Sequence, residues 1–356
     1  MNSSNSSEEF FNGTDDYDDS TPILAALWFS ESVDLIFGSL LALITIMGIP
    51  LNFSVFAMFI KYRKEMTSRT TWLMMSLALS DGLMAIVGGT MFSISSFAHE
   101  WPFGDTGCVV YAYIMYMTGC ADIGHLVVIS VDRLLAITSP IKYRSWGNKP
   151  ILNIVAVIVP WVFGNFWAVL PLFGLQRYTY EGATSCSIDW LSKKPADVAY
   201  NYMIFIGTYF LPLATMIFSY GLIFSTVKAA GKKFGADDAA SAKKREMEMK
   251  LAKNFSTVIF VYMMFWTPYT VVSLWGSVGD PSVIPPSTRG FPAVLAKFSF
   301  VVNPLLYVLS NKEHRKKLKG LYGIVTNEVE PTEMAAPATQ PPQTTQASGK
   351  TAATEC

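Results

Sequence analysis

Charge is scarce in this chain, and neither sign is in surplus. Charged residues make up 15% of the 356 positions, against about a quarter in ordinary soluble domains. Lys+Arg and Asp+Glu number 27 each. The missing basic excess excludes a binder of the nucleic-acid polyanion, and the missing acidic excess excludes a disordered acidic chain. The opening residues lack a basic n-region and an apolar h-region, so no cleavable signal peptide is expected. No inverted repeat and no paired, interrupted apolar segments are present, which argues against a transporter.

What is present is apolar. Hydrophobic residues reach 51% and aromatics 14%. Leu35–Ile60, Ile151–Leu175, Val198–Val227 and Asn254–Gly279 contain no Asp, Glu, Lys or Arg. Thr70–His99 contains only Asp81, Gly107–Val131 only Asp122, and Gly290–Asn311 only Lys297. About 20 residues of helix cross the hydrocarbon core, so all seven runs qualify as spans. Prolines 50, 160, 171, 212, 268 and 304 do not demote them, because neighbours in a membrane bundle can satisfy the carbonyl that a proline frees. The first span is expected to act as the insertion signal. The predicted fold is an all-α membrane protein, a seven-transmembrane helix bundle placed as a multi-pass protein in the cell membrane.

Basic residues set the orientation. Outside the spans, only Arg177, Lys193, Lys194 and Arg289 fall on the side opposite to the Lys61–Arg69, Lys142–Lys149, Lys228–Lys253 and Lys312–Lys319 groups. The N-terminus is therefore predicted outside and the C-terminus inside. Residues 1–34 read as an extracellular tail glycosylated at Asn2, Asn5 and Asn12, and 35–310 as the bundle. Residues 311–323 read as an amphipathic surface helix, with His314, Leu318, Leu321 and Tyr322 as its stripe. Residues 324–356, rich in Thr, Pro, Gln and Ala, read as a disordered cytoplasmic tail with hydroxyls open to phosphorylation. Lys228–Lys253 reads as helical extensions of spans five and six. Cys108 and Cys186 both fall outside, where oxidation permits a bridge as well as two free thiols.

Ionisable groups within a span are expensive and mark function by default. Lys297 is either a structural lysine paired with a buried acid or a nucleophilic amine able to form a Schiff base with an aldehyde. Phe265, Trp266 and Tyr269 on span six, with Tyr111, Tyr113 and Tyr116 on span three, could supply an aromatic pocket. Asp122 lies eleven residues after Tyr111, which at about 100° per residue leaves it about 20° from the same direction.

Several segments together carry a resemblance. Gly48-Ile-Pro-Leu-Asn52, Ser76-Leu-Ala-Leu-Ser-Asp81, Cys108, Asp132-Arg133-Leu134, Trp161, Phe265-Trp-Thr-Pro-Tyr269 and Asn303-Pro-Leu-Leu-Tyr307 resemble the rhodopsin-like G-protein-coupled receptors. Phe291-Pro-Ala-Val-Leu-Ala-Lys297 resembles the retinal-attachment segment of animal opsins. The resemblance implies that Lys297 holds 11-cis retinal covalently as a protonated Schiff base. Tyr111 stands where vertebrate visual pigments carry a glutamate counterion, so Glu181 in the second outer loop is the counterion expected. The stretch from Glu181 to Cys186 is a residue shorter than in most opsins. Gly119, Cys120, Trp266 and Tyr269 would line the chromophore, as would Tyr111.

By the same resemblance, Asp132-Arg133 and Glu248 would form the resting contact at the inner face, and Asn303, Pro304 and Tyr307 the span-seven switch. Leu134 replaces the family's usual tyrosine. Asp122 would point towards Asp81 and Asn303, giving a buried acid cluster that shares a proton or holds a cation. The implied protein is a non-vertebrate-visual, bistable type of opsin, a light-sensing receptor and not an enzyme. Its implied partners are the bilayer, a heterotrimeric G protein, and arrestin and a receptor kinase at the tail. A retinal photoisomerase of the same fold and a receptor for a diffusible ligand remain as alternatives.

Overall fold

The computed structural model describes residues 31–324 except 148, 234–238, 281–285 and 310–311, and the side chains of Glu248 and Tyr307 also lie outside the described residues. Asn2, Asn5, Asn12 and the tail fall outside as well. Six helices are long and apolar enough to cross a membrane: Glu31–Lys61, Arg69–Ala98, Gly104–Thr138, Pro150–Phe173, Pro195–Ala230 and Ala252–Val278. The seventh span is shorter. It runs as Pro286–Lys297 and Ser299–Leu309, with a turn at Phe298 directly after Lys297. Nothing in the residue pattern marked that break.

These helices are apolar on nearly every side, as expected where one face meets lipid and the other meets protein. On span one, Leu43 and Ile46 are exposed while Leu41 and Ile44 are buried. The helices of spans five and six extend inward to Lys233 and from Ala239, as their charged Ala-rich flanks suggested. Short π-helical turns interrupt span two at Ala85–Gly89 and span five at Phe205–Phe210.

Polar side chains satisfy backbone groups that proline leaves open. Pro304 has no N–H to offer Phe300, and the Phe300 carbonyl instead accepts from Asn52 Nδ2 at 2.6 Å. The same nitrogen donates to the Gly48 carbonyl at 3.0 Å, so one asparagine pins span one to span seven. Spans two, three and four are tied by His125 and Trp161. Trp161 Nε1 donates to Ser76 Oγ at 2.8 Å, which lies 2.8 Å from His125 Nε2. The other imidazole nitrogen lies 2.7 Å from the Ala121 carbonyl. A carbonyl cannot donate, so Nδ1 carries the proton and Nε2 accepts from Ser76.

Outside the membrane, Tyr178–Tyr180 and Cys186–Ile188 pair as an antiparallel hairpin, β1 and β2, with Tyr180 opposite Cys186. A disulfide joins Cys186 to Cys108 at the top of span three, with Cα atoms 5.4 Å apart. The hairpin therefore lies across the mouth of the bundle. Lys193, just beyond it, donates to the Gly276, Ser277 and Gly279 carbonyls at 2.8–3.1 Å and caps the outer end of span six. On the inner side, Lys312–Leu321 forms the expected surface helix. Its buried positions are His314 and Lys317, whereas Tyr322, at the end of the anticipated stripe, is exposed. Lys317 turns inward because Glu65, 2.6 Å from its amine, and the Tyr62 ring receive it there.

Spans three and four cross at Gly164, where an added Cβ would collide with the Met117 carbonyl and come within 2.9 Å of the Ala121 nitrogen. Those are backbone atoms and cannot rotate away. Gly164→Ala is expected to destabilise the protein by about 1–3 kcal/mol, read as a lowered thermal midpoint in detergent. An unchanged midpoint would contradict the close crossing.

Candidate functional site

Lys297 occupies the outer half of span seven with 7% of its surface exposed. Among the described residues its amine has no ion pair within salt-bridge distance. The neighbours are the Ala293 carbonyl at 3.5 Å, the Phe92 ring at 4.9 Å and the Tyr111 ring at 6.0 Å. An aliphatic stem ending in an ammonium against two ring faces gains some cation–π attraction, but less than a carboxylate would give. The amine faces a cavity whose wall includes Tyr111, Gly119, Cys120, Glu181, Trp266 and Tyr269. The six residues expected to surround a chromophore, other than Lys297 itself, thus share one enclosure with it.

Glu181 reaches this cavity despite the shortened loop. Its backbone N–H donates to the Ser185 carbonyl at 2.8 Å, closing a tight turn that Gly182, at φ 72°, allows. The carboxylate accepts from the Tyr269 hydroxyl at 3.1 Å, and that hydroxyl accepts from Trp190 Nε1 at 3.0 Å. Glu181 and Lys297 stand close enough for their charges to attract across the cavity. Tyr111, by contrast, lies with its hydroxyl 3.4 Å from Ser185.

Two expected pocket residues are elsewhere. Tyr113, about 200° around the helix from Tyr111, turns outward and donates to Asn165 at 2.6 Å. Phe265 stacks against Phe298, with ring centroids 6.1 Å apart. Trp266 forms the floor. An added Cβ on Gly119 would come within 2.9 Å of its ring, and its Nε1 donates to Ser299 at 3.3 Å. Tyr262 stacks below Trp266 at 5.8 Å and donates to the Gly119 carbonyl. Residue type alone gave no reason to single out Phe92, Ser185 or Tyr262.

Deeper in the bundle, Asn303 Nδ2 lies 3.3 Å from both oxygens of Asp81. Asp122 is fully buried beside Asp81 and Ser80, near enough to interact electrostatically, yet neither of its oxygens has a partner in hydrogen-bond geometry among the described residues. Asp81, Asp122 and Asn303, related in the sequence only by helical spacing and family position, therefore lie together.

At the inner face, Asp132 accepts from Arg133 at 2.6 Å, Arg69 at 3.0 Å, Thr70 at 3.1 Å and the Tyr143 hydroxyl at 3.0 Å. Arg69 also reaches Asn153 at 3.2 Å and lies over the Tyr143 ring at 5.4 Å. Burial first, then the Asp132 carboxylate, hold the Tyr143 phenol above its ordinary range. The Arg69 contribution was not anticipated, because basic residues in inner loops already had an explanation in topology. Phe255, Val258, Asn254 and Arg133 line a cleft that opens between this cluster and span six.

A buried amine without a counterpart within bonding distance costs stability. Lys297→Met in the ligand-free protein is expected to leave stability unchanged or raise it by on the order of 1–4 kcal/mol, read from the thermal midpoint. A fall would show that the lysine serves the fold.

Comparison with known proteins gives the family and the fold. The family model of the 7 transmembrane receptor (rhodopsin family) matches residues 51–307. A melanopsin of Branchiostoma belcheri is 33% identical over 268 residues, 72% of this chain and 38% of that protein. The visual pigment-like receptor peropsin of Homo sapiens is 29% identical over 313 residues, 87% of this chain and 90% of that protein. The crystal structure of squid rhodopsin matches with a TM-score of 0.76 and 26% identity, covering 83% of this chain and 87% of that one. The chain spans 38% of the Branchiostoma melanopsin and 57% of a melanopsin-like protein of Danio rerio. With these matches over the same helices that build the cavity, the chain belongs to the rhodopsin family of seven-transmembrane receptors, among the animal opsins outside the vertebrate visual pigments.

Proposed function

We propose that the protein is a light-sensing G-protein-coupled receptor whose chromophore is retinal, attached at Lys297. The observation that carries this reading is a buried lysine, without an ion pair among the described residues, facing an aromatic cavity that it shares with Glu181. The donor set fits an elongated polyene aldehyde. A nucleophilic amine stands at one end, flat rings line the sides, and Gly119 leaves room above Trp266. Retinal, when bound, supplies visible absorption and a change of shape from 11-cis to all-trans on photon capture.

The protein's own groups do the rest. Lys297 Nζ keeps a proton and its positive charge because Glu181 balances it across the dry cavity. Tyr269 orients Glu181, and Tyr111 adds no second carboxylate on span three. This arrangement favours a photoproduct that stays protonated and can be photoreverted, the bistable behaviour. Trp266 transmits displacement of the cavity contents to span six, which hinges at Pro268. Arg133 then parts from Glu248, and the inner cleft receives a segment of a heterotrimeric G protein. Asn303, Pro304 and Tyr307 rearrange in span seven as it does so. The bistable element is the bundle, biased by a ligand that binds its two states unequally. Arrestin and a receptor kinase act at the hydroxyl-rich tail, and glycans at Asn2, Asn5 and Asn12 decorate the outer tail.

Asp81 and Asp122 form a coupled pair that shares one proton or holds one cation, because two carboxylates in a dry site cannot both ionise without help. Asp122→Asn is expected to remove the dependence of the photoproduct on pH and on sodium. Dependence equal to wild type would contradict the pairing.

The main test is the absorption spectrum of protein reconstituted with 11-cis retinal, before and after illumination. Wild type is expected to absorb in the visible, Lys297→Ala to form no pigment, and Glu181→Gln to shift strongly to the blue near neutral pH. No visible band in wild type would favour a diffusible-ligand receptor. A visible band without light-dependent nucleotide exchange on a G protein would favour a photoisomerase.

A further inference from the structure

Glu181 stands in the walls of two cavities. One is the cavity that Lys297 faces. The other is a vestibule outward of the hairpin, and its rim includes Tyr180, which is 45% exposed, with Thr179 and Gly182 half-buried beside it. Val272 of span six and Gly290 of span seven also line it, both outward of Tyr269 and Lys297 in their helices. Ser185, Ser187 and Tyr269 line the two cavities alike, so the partition between them is thin.

The inner side offers no such approach. Among the described residues, the inner cleft shares no wall residue with the Lys297 cavity. Trp266 and Tyr262 stack at the floor of that cavity, and the Trp266 ring packs on Gly119.

Few titrating groups face Glu181. Tyr111 faces it from span three, Tyr269 from span six and Lys297 from span seven. Span two contributes the Phe92 ring, and span five contributes no charged group to either wall. Asp189 lines the vestibule, where Arg177 donates to it at 2.8 and 3.0 Å and the Leu191 and Ser192 N–H groups donate as well. Asp105, at the top of span three, accepts from the Tyr180 hydroxyl at 2.5 Å. Among the described residues, Lys297 is the one base in either wall, and Glu181 the one carboxylate common to both.

We propose that Glu181 relays protons between Lys297 and the outer medium, so that outer pH governs the charge on Lys297 in the retinal-bound protein. The route rests on the two cavities, and its visible consequence rests on the light-sensing reading. As outer pH rises, the proton on Lys297 Nζ passes to a Glu181 oxygen. Glu181 then yields it to hydroxide from the outer medium, which forms water and restores the carboxylate. The net change is one proton lost to the outside. The Glu181 anion favours the charged form of its neighbour, and the two groups titrate as a pair. Lys297 Nζ therefore keeps its proton at low outer pH and loses it as outer pH climbs.

The route is tested on the full-length, ligand-free protein in cells. Glu181→Cys is expected to react with a membrane-impermeant cationic methanethiosulfonate added outside, read as a mass increment on the peptide containing position 181. The same reagent confined to the inner side should leave that position unmodified. Ser187→Cys, on the same partition, supplies a second position should the first variant fail to fold.

The consequence is tested with retinal-reconstituted protein in sealed vesicles, read before an imposed pH gradient decays. Raising outer pH should move the visible band to the near ultraviolet, and raising inner pH should leave it in place. Labelling from the inner side, or from neither side, overturns the inference whether or not a pigment forms. A band that follows inner pH, or that ignores outer pH, overturns it as well. Labelling from outside alone, in protein that forms no pigment, supports the route and contradicts the light-sensing reading.

Discussion

A buried positive charge is costly without a counter-charge, and the outer half of this protein brings a carboxylate into the cavity that Lys297 faces. Lys297 is buried against rings and a distant carbonyl, and the carboxylate that could balance it arrives on a loop from outside the bundle. The disulfide from Cys108 to Cys186 fastens the hairpin, the Glu181–Ser185 turn sets the loop height, and Tyr269 aims the carboxylate. Each depends on the one before it. A hairpin displaced outward would remove Glu181 from the cavity, whatever its sequence.

The same scarcity of water governs the rest of the bundle. Lipid offers no hydrogen bonds, so proline-freed carbonyls and buried side chains must find partners within the protein. Asn52 serves Phe300 above Pro304, and the Trp161–Ser76–His125 chain closes on the Ala121 carbonyl. Against that background the unmet groups stand out. Neither Asp122 oxygen, for one, has a partner in hydrogen-bond geometry among the described residues.

Much of this was legible in the residue order. Seven uncharged or nearly uncharged runs dictate seven crossings, because hydrocarbon penalises charge so heavily that the pattern has little freedom. Lys297, Asp81 and Asp122 were visible for the same reason, being ionisable groups within apolar segments, whereas Glu181 came only from the family resemblance. Family motifs then placed Trp266, Tyr269 and Asn303. Less legible were features set by three-dimensional approach. Phe92 and Tyr262 are ordinary apolar-face residues until their neighbours are known. Tyr113 shares its type with Tyr111 and Tyr116, and only helix rotation sends it to lipid. Arg69 resembles any loop cation, yet it shares Asp132 with Arg133. The break after Lys297 has no cue at Phe298 itself.

The account rests on covalent attachment at one nitrogen. Borohydride reduction of retinal-reconstituted protein, followed by peptide mass analysis, locates the attachment site directly. The prediction is a retinyl mass increment on the peptide containing Lys297 and on no other lysine, absent from Lys297→Ala. An increment on another lysine, or none in protein that retains its fold, would contradict it.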